Sequence, residues 1–335
     1  VSKASATILF AITLAFGQAS CPHAQTYSVS VSPVGNIGTV VSAATGTTTF
    51  RVDDNLGTVT TVSGSATRMT TGTISPMVAS VTCSGTSTQC NKLVTISIAS
   101  AGTPTNRAGA LTNFTATAGT ASFNTTPSGT NPTTFKLNAI ARNSTVTFYV
   151  GYDFPIKADD SGTPTGTSSS QLSVVASATG ATTGTGSGTA SATVLRSITL
   201  TNSATLSFGR LVLPASGTQT VALSPAVPSV KLSGTGSGGT ALASPAATLA
   251  SFSVAGEGGQ SFTLTVPASF TLNGPSGSAP ITITTLPSAS GAQTLSGTIG
   301  SSGSFGFTIG GSFPMASSTQ AGGYSGTFST TVQYN

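Results

Sequence analysis

The sequence predicts an all-β protein of two tandem β-sandwich domains. Three observations carry that expectation: short runs with a period of two, glycine-rich turns with no amphipathic helix between them, and one strand plan that occurs twice. In a period-two run successive side chains point to opposite faces, so one face can be buried and the other wet. The clearest case is GGYSGTFSTTVQYN, Gly322 to Asn335. Tyr324, Gly326, Phe328, Thr330, Val332 and Tyr334 share one parity and hydroxylated residues fill the other.

Composition sets the class. Charged residues are 5% of 335, against roughly a quarter in ordinary domains. Small polar residues replace them, yet Phe, Val, Ile and Leu recur in alternating runs that a disordered chain does not need. Sixteen Phe and no Trp make Phe the main large core residue. The 11 Lys and Arg stand singly, so the formal charge of +5 makes no basic patch and no nucleic-acid interface is expected.

The chain opens with Lys3 and the apolar run Ala6 to Phe16, too short for a membrane span and shaped like a secretory signal peptide over residues 1–24. Cleavage after Ala19 or Ala24 fits the small residues there. QASC, Gln18 to Cys21, matches a lipoprotein signal poorly. Export into an oxidising compartment, with no transmembrane segment in the mature chain, is the expectation.

Tyr27, Val29 and Val31 alternate with serines in a first strand ended by Pro33 and Gly35. Gly46 to Val52 is a second strand, and Asp53 to Asn55 a turn. Short strands are expected at Val59 to Val62 and Arg68 to Ile74. Two apolar strands flank SGTSTQ, bracketed by Cys83 and Cys90. In an exported chain that spacing predicts a disulfide across a hairpin. Redox chemistry is excluded by the lack of C-x-x-C. Metal binding and a Ser/His/Asp triad are excluded by the single histidine, His23, in the leader. No cofactor is expected.

Ala101 to Thr134 reads either as one exposed binding loop or as edge strands with long turns. Asp153, Asp159 and Asp160 lack the register of a calcium loop and read as turn residues. Gln171 to Ser177 is a strand. Residues 179–194, rich in Gly, Thr and Ser, read as a linker or long hairpin.

The halves align. Gly38 to Val52 matches Gly209 to Leu223, and Val78 to Gly85 matches Leu249 to Gly256. KLVTISI meets QSFTLTV, and Thr147 to Ile156 meets Gly306 to Met315. Cys83 therefore falls opposite Val254, and no disulfide is expected in the second half. The shared kernel contains Gly151, Phe154 and Pro155 in one half and Gly310, Phe313 and Pro314 in the other. The glycines are expected at a bulge or bend, the phenylalanines capping the core as the strand leaves it, and the prolines at its exit. Domains at 25–178 and 195–335 follow, each able to bury its own core. Glu257 is expected at the exposed tip of a tight hairpin, a turn residue with no second carboxylate near it in sequence.

TNSATLSFGRLVLPASGTQTVALSP, SFSVAGEGGQSFTLTVP, FTIGGSFPM and AGGYSGTFSTTVQY resemble the bacterial domain-of-unknown-function family 4402, over nearly all of Thr201 to Tyr334. The first half resembles a diverged second copy. More distantly, the family is similar to spore-coat-U and fimbrial subunit domains. That resemblance implies immunoglobulin-like, pilin-like sandwiches handled by a periplasmic chaperone and an outer-membrane usher. It implies a terminal strand that the chaperone grips, here Gly322, Tyr324, Phe328, Val332 and Tyr334. In such subunits a neighbour's extended strand completes an open sandwich. Tyr27, Val29 and Val31 are then either donor residues or, the preferred reading, the first strand of their own domain.

The function expected is a non-enzymatic cell-surface, fimbrial or pilus-type structural and adhesive protein, meeting fimbrial subunits, surface glycans or abiotic surfaces after periplasmic transit. The alternatives are a secreted carbohydrate-binding module, with Tyr149 and Tyr152 flanking a groove, or a free-standing matrix or coat protein.

Overall fold

A computed structural model describes residues 26–335. The leader, with Cys21 and His23, lies outside the described residues.

The chain up to Leu195 forms β1 (Tyr27–Ser32), β2 (Gly35–Val41), β3 (Thr47–Val52), β4 (Val59–Ser63), β5 (Thr67–Arg68), β6 (Met77–Cys83), one helical turn α1 (Ser87–Cys90), β7 (Val94–Ala101), β8 (Thr112–Ala118), β9 (Thr133–Leu137), β10 (Ser144–Lys157), β11 (Gly166–Ser177) and β12 (Gly184–Leu195). One sheet has the order β1-β6-β10-β3-β4, with β8 also on β10. A second has the order β5-β2-β12-β11-β7-β9. Alternation sets the inner faces. Met77, Ala79, Val81 and Cys83 point in from β6, and Val94, Ile96 and Ile98 from β7. They meet Phe50, Phe148 and Phe154 in one continuous core.

The rest forms β13 (Thr199–Ala204), β14 (Leu211–Val212), β15 (Thr218–Leu223), β16 (Val230–Gly234), β17 (Thr240–Ala241), β18 (Ala250–Glu257), β19 (Ser261–Thr265), β20 (Ser269–Leu272), β21 (Ile281–Pro287), β22 (Gly291–Thr294), β23 (Ser302–Ala316) and β24 (Thr331–Tyr334). A third sheet runs β13-β18-β23-β15-β16, with β21 on β23 and β20 on β21. Two small sheets complete it: β14-β17 and β22-β19-β24. The architecture is of the β-sandwich type throughout. In this half the buried apolar residues fall into two clusters, one around Phe262 and Phe307, the other around Val221 and Phe313.

Several local expectations are corrected. Cys83 and Cys90 are bonded, with their Cα atoms 5.8 Å apart, but not across a hairpin. β6 and β7 lie in different sheets, and the bridge ties the end of β6 to α1 on the crossing between them. Thr86 caps α1, accepting from the Gln89 amide, while Gln89 Oε1 accepts from the Thr86 amide at 2.9 Å. Likewise β18 and β19 belong to different sheets, so Glu257 is not at a hairpin tip.

The kernel prolines do not end their strands. β10 continues through Pro155, paired with Thr49, to Lys157, and β23 continues through Pro314 to Ala316. The Pro155 carbonyl accepts from Gly109 N, so its missing N–H faces that loop and not β3. Phe154 sits within the ladder opposite Phe50 and is fully buried. A Cβ at Gly151 would lie 2.8 Å from the Val52 carbonyl, and one at Gly310 2.0 Å from that of Leu223. The register of β10 against β8 shifts between Gly151 and Asp153, as expected of a bulge, and both glycines also serve close backbone approach.

The Gly/Thr/Ser stretch around residues 179–194 is a long hairpin. Its second arm, β12, lies between β11 and β2. It is glycine-rich because β1 crosses close above it: a Cβ at Gly184 would stand 2.3 Å from the Tyr27 carbonyl oxygen. Tyr27, Val29 and Val31 belong to β1, paired with β6 of the same sheet. Ala101 to Thr134 contributes the edge strand β8 and buries Leu111 and Phe114.

Candidate functional site: an unfilled strand position

The two halves place equivalent strands in the same order. β1-β6-β10-β3-β4 and β13-β18-β23-β15-β16 correspond position by position. In the other layer, β11 runs beside β7 with Ser177 opposite Thr95, and β24 beside β19 with Gln333 opposite Thr263. Thr95 and Thr263 are aligned residues, so Gly322 to Tyr334 stands where Gly166 to Ala178 stands in the first half.

There the layers part. In the first half β12 pairs antiparallel with β11, from Gly166 opposite Val194 to Ala176 opposite Gly184. It also pairs parallel with β2, from Ala190 opposite Gly35 to Val41 opposite Leu195. In the second half β14 and β24 lie in separate sheets, and no described strand stands between them. Only Thr331–Tyr334 of the long alternating run is laddered. Of Gly322 to Thr330, Ser325 alone exchanges backbone hydrogen bonds among the described residues, with Asn273 at 2.8 and 3.0 Å. An unpaired strand edge of this kind is a template for another strand.

The side chains tell the same story. Ile37, Val40 and Leu172 are completely buried. Their counterparts Phe208, Leu211 and Phe328 are only half-buried. Between them lies an open cavity of about 1000 Å³, lined among others by Leu206, Phe208, Leu211, Phe252, Phe313 and Phe328.

Of the residues expected to form the terminal strand, Gly322, Tyr324 and Phe328 line this cavity. Val332 packs against the neighbouring core, and Tyr334 is buried at the junction of the halves. Its hydroxyl accepts from Glu257 N at 2.7 Å and donates to the Arg196 carbonyl at 3.1 Å. Burial pushes this phenol above its ordinary pKa.

Glu257 is fully buried, correcting the exposed-turn expectation. It accepts from Thr165 Oγ1 at 2.8 Å, from Arg196 N at 3.1 Å and from Gly300 N. Asp159 is the matching acid from the first half. It accepts from Ser197 N at 3.1 Å, Ser42 Oγ at 2.8 Å and Arg107. Burial works against its charge, but the hydrogen bonds from Ser197, Arg107 and Ser42 outweigh it and hold the carboxyl below its ordinary pKa. Asp153 is buried too, paired bidentately with Arg51 at 2.7 and 2.8 Å. Asp159 opens the turn Asp159–Ser161 and Glu257 begins the turn that ends at Gln260, as the turn reading expects, while Asp153 lies within β10; all three are also anchors with partners distant in sequence.

Tyr152 is buried with its hydroxyl on the Gly35 carbonyl, so it flanks no groove. Among the described residues no three His, Cys, Asp or Glu side chains are grouped to hold a metal, and no helix is long and apolar enough to cross a membrane.

No curated protein matches the chain. Among solved structures, one described as a chaperone–tip adhesin complex vital for synergistic activation of CFA/I fimbriae biogenesis aligns at 10% identity, covering 90% of this chain and 96% of that one, with a TM-score of 0.28. The collagen-binding subdomain of the Enterococcus faecalis surface protein ACE aligns at 12% identity over 36% of this chain and 90% of its own, at 0.17. The secreted serine protease VesC from Vibrio cholerae aligns at 10% over 92% and 51%, at 0.19. Similarity at that level carries no functional inference. Residues 198–334 match the family described as Domain of unknown function (DUF4402).

Proposed function

We propose that this chain is an exported, non-enzymatic surface protein of fimbrial type, structural or adhesive, whose second sandwich is completed by an extended strand from another polypeptide. One observation carries the proposal: the position that β12 fills in the first half is open in the second, with its flanking backbone unpaired and its apolar walls half-exposed. In this reading the halves are tandem immunoglobulin-like, pilin-like domains, residues 25–195 and 196–335. The boundary moves to Leu195 because β12 belongs to the first. Gly322, Tyr324, Phe328, Val332 and Tyr334 form the strand that a periplasmic chaperone holds until an usher-linked exchange supplies the final occupant. Outward hydroxylated faces of the first domain would meet glycans or abiotic surfaces.

The test is recovery of the chain from the surface of producing cells by shearing, followed by amide exchange. A complex with a second polypeptide, in which the amides of Gly326 to Thr330 exchange slowly, is expected. Surface-extracted monomer with those amides exchanging freely would overturn the reading.

A further inference from the structure

One face of the first half is covered by the second half, and the second half carries the same face uncovered. In the first half β2 and β5 pair with Val40 opposite Arg68 and Val41 opposite Thr67, and Met69 N donates to the Thr39 carbonyl at 2.9 Å. Val40 points into the core of its own half, so Val41, the next residue, points away from it. Val41 and Met69 pack instead on the core cluster that holds Phe262 and Tyr334 in the second half. Thr39 and Met69 share a small cleft there with Gln260, Ser261, Tyr334 and Asn335.

β14 and β17 repeat that face. Leu211 lies opposite Ala241 and Val212 opposite Thr240, and Leu242 N donates to the Arg210 carbonyl, again at 2.9 Å. Alignment of the halves puts Arg210 at the place of Thr39 and Val212 at that of Val41. The repeated hydrogen bond puts Leu242 at the place of Met69. Yet Val212 and Leu242 are each 40% exposed. An apolar pair that a sandwich end covers in one half stands in water in the other.

The covering surface recurs as well. Gln260 and Ser261 align with Lys92 and Leu93, and Tyr334 and Asn335 with Ala178 and Thr179. Leu93 is 46% exposed, where the second half has a serine inside the junction. The chain thus has a closed junction in its middle, an open apolar pair on its second half and an open leucine on its first.

We infer that the second half docks a second copy of this chain, with Val212 and Leu242 seated on Leu93 and Ala178 of that copy. The contact repeats the junction already present between the halves. It uses different surfaces of the two copies, so chains add head to tail. It needs no strand in the open position and stands apart from the acceptor reading. Arg210 and Lys92 bring like charges to this contact. Lys92 Nζ is held on the Thr179 carbonyl at 2.8 Å, and salt near physiological strength screens exposed charges at this range.

The experiment follows the mass of the chain recovered from producing cells by sedimentation, up to about 1 mM in physiological salt. A short linker gives the junction within the chain a local concentration of about that size. Weight-average mass should rise about two-fold, as head-to-tail addition gives when Kd is near that concentration. Leu242→Asp and Leu93→Asp, both at exposed positions, should each abolish the rise. Mixing the two variants should restore association and stop it at dimers, because one intact end of each kind remains. That recovery also shows that both variants fold. A monomer throughout, association unchanged in either variant, or a mixture that stays monomeric overturns the inference and leaves the acceptor reading standing. Association that survives Leu242→Asp and slows amide exchange at Gly326 to Thr330 is strand exchange: it overturns the inference and supports the acceptor reading.

Discussion

Two halves of one chain carry the same strand order and differ in one strand. In the first, β12 lies between β2 and β11, and Ile37, Val40 and Leu172 have no solvent contact. In the second, the aligned Phe208, Leu211 and Phe328 are half-exposed, and the core divides into two clusters. In the first half it is β12 that joins β11 to β2. Without it, large apolar side chains stay at a water boundary although their sequence pattern marks them for burial.

The comparison can be broken at its strongest shared point. Phe154→Ala and Phe313→Ala should each destabilise their own half by about 3–5 kcal/mol, because both side chains are buried in matching ladder positions. Denaturant unfolding followed separately in each half would show it, and a much smaller loss for one would end the equivalence. The next test separates the halves. Leu172→Ala should cost about 2–5 kcal/mol, and Phe328→Ala less than about 1 kcal/mol in the isolated chain, its ring being partly wet already. Filling the slot should bring Phe328→Ala up to the range of Leu172→Ala. Equal costs in the isolated chain would mean that the slot is closed.

Smaller again is the disulfide. Replacing Cys83 and Cys90 by serine opens a loop with a separation of seven residues, for about 2.5 kcal/mol of chain entropy, and only the first half should respond. The smallest effect lies at the junction. The Asp159 carboxyl is held below its ordinary value, so its contribution is complete above the unfolded pKa of about 3.9. It is lost as the pH falls through the lower folded value. Only acid below about pH 3.9 should weaken the junction, and Asp159→Asn should remove that pH dependence.

Much of the fold was legible. Alternation in Met77 to Cys83 and Val94 to Ile98 gives strands with the correct inner faces, and the repeat aligns strands that the structure places in matching order. Local pattern does not say which sheet a strand joins. Both short connections read as hairpins, Cys83 to Cys90 and Glu257 to Gln260, cross between layers instead. β12 resembled a linker because its glycines answer to a strand far away in sequence, as Tyr27 does at Gly184. Glu257 was unreadable for the same reason, since Thr165 is 92 residues distant.

Tyr334 gives the open position a mechanical meaning. A filler clipped along Gly322 to Thr330 would bear tension in shear, spread over many ladder bonds at once. That pull would pass down β24 to a phenol clasped between Glu257 and Arg196, one residue from the end of β12. Traction on such a filler would thus reach the first half through β12, a strand inside its sheet.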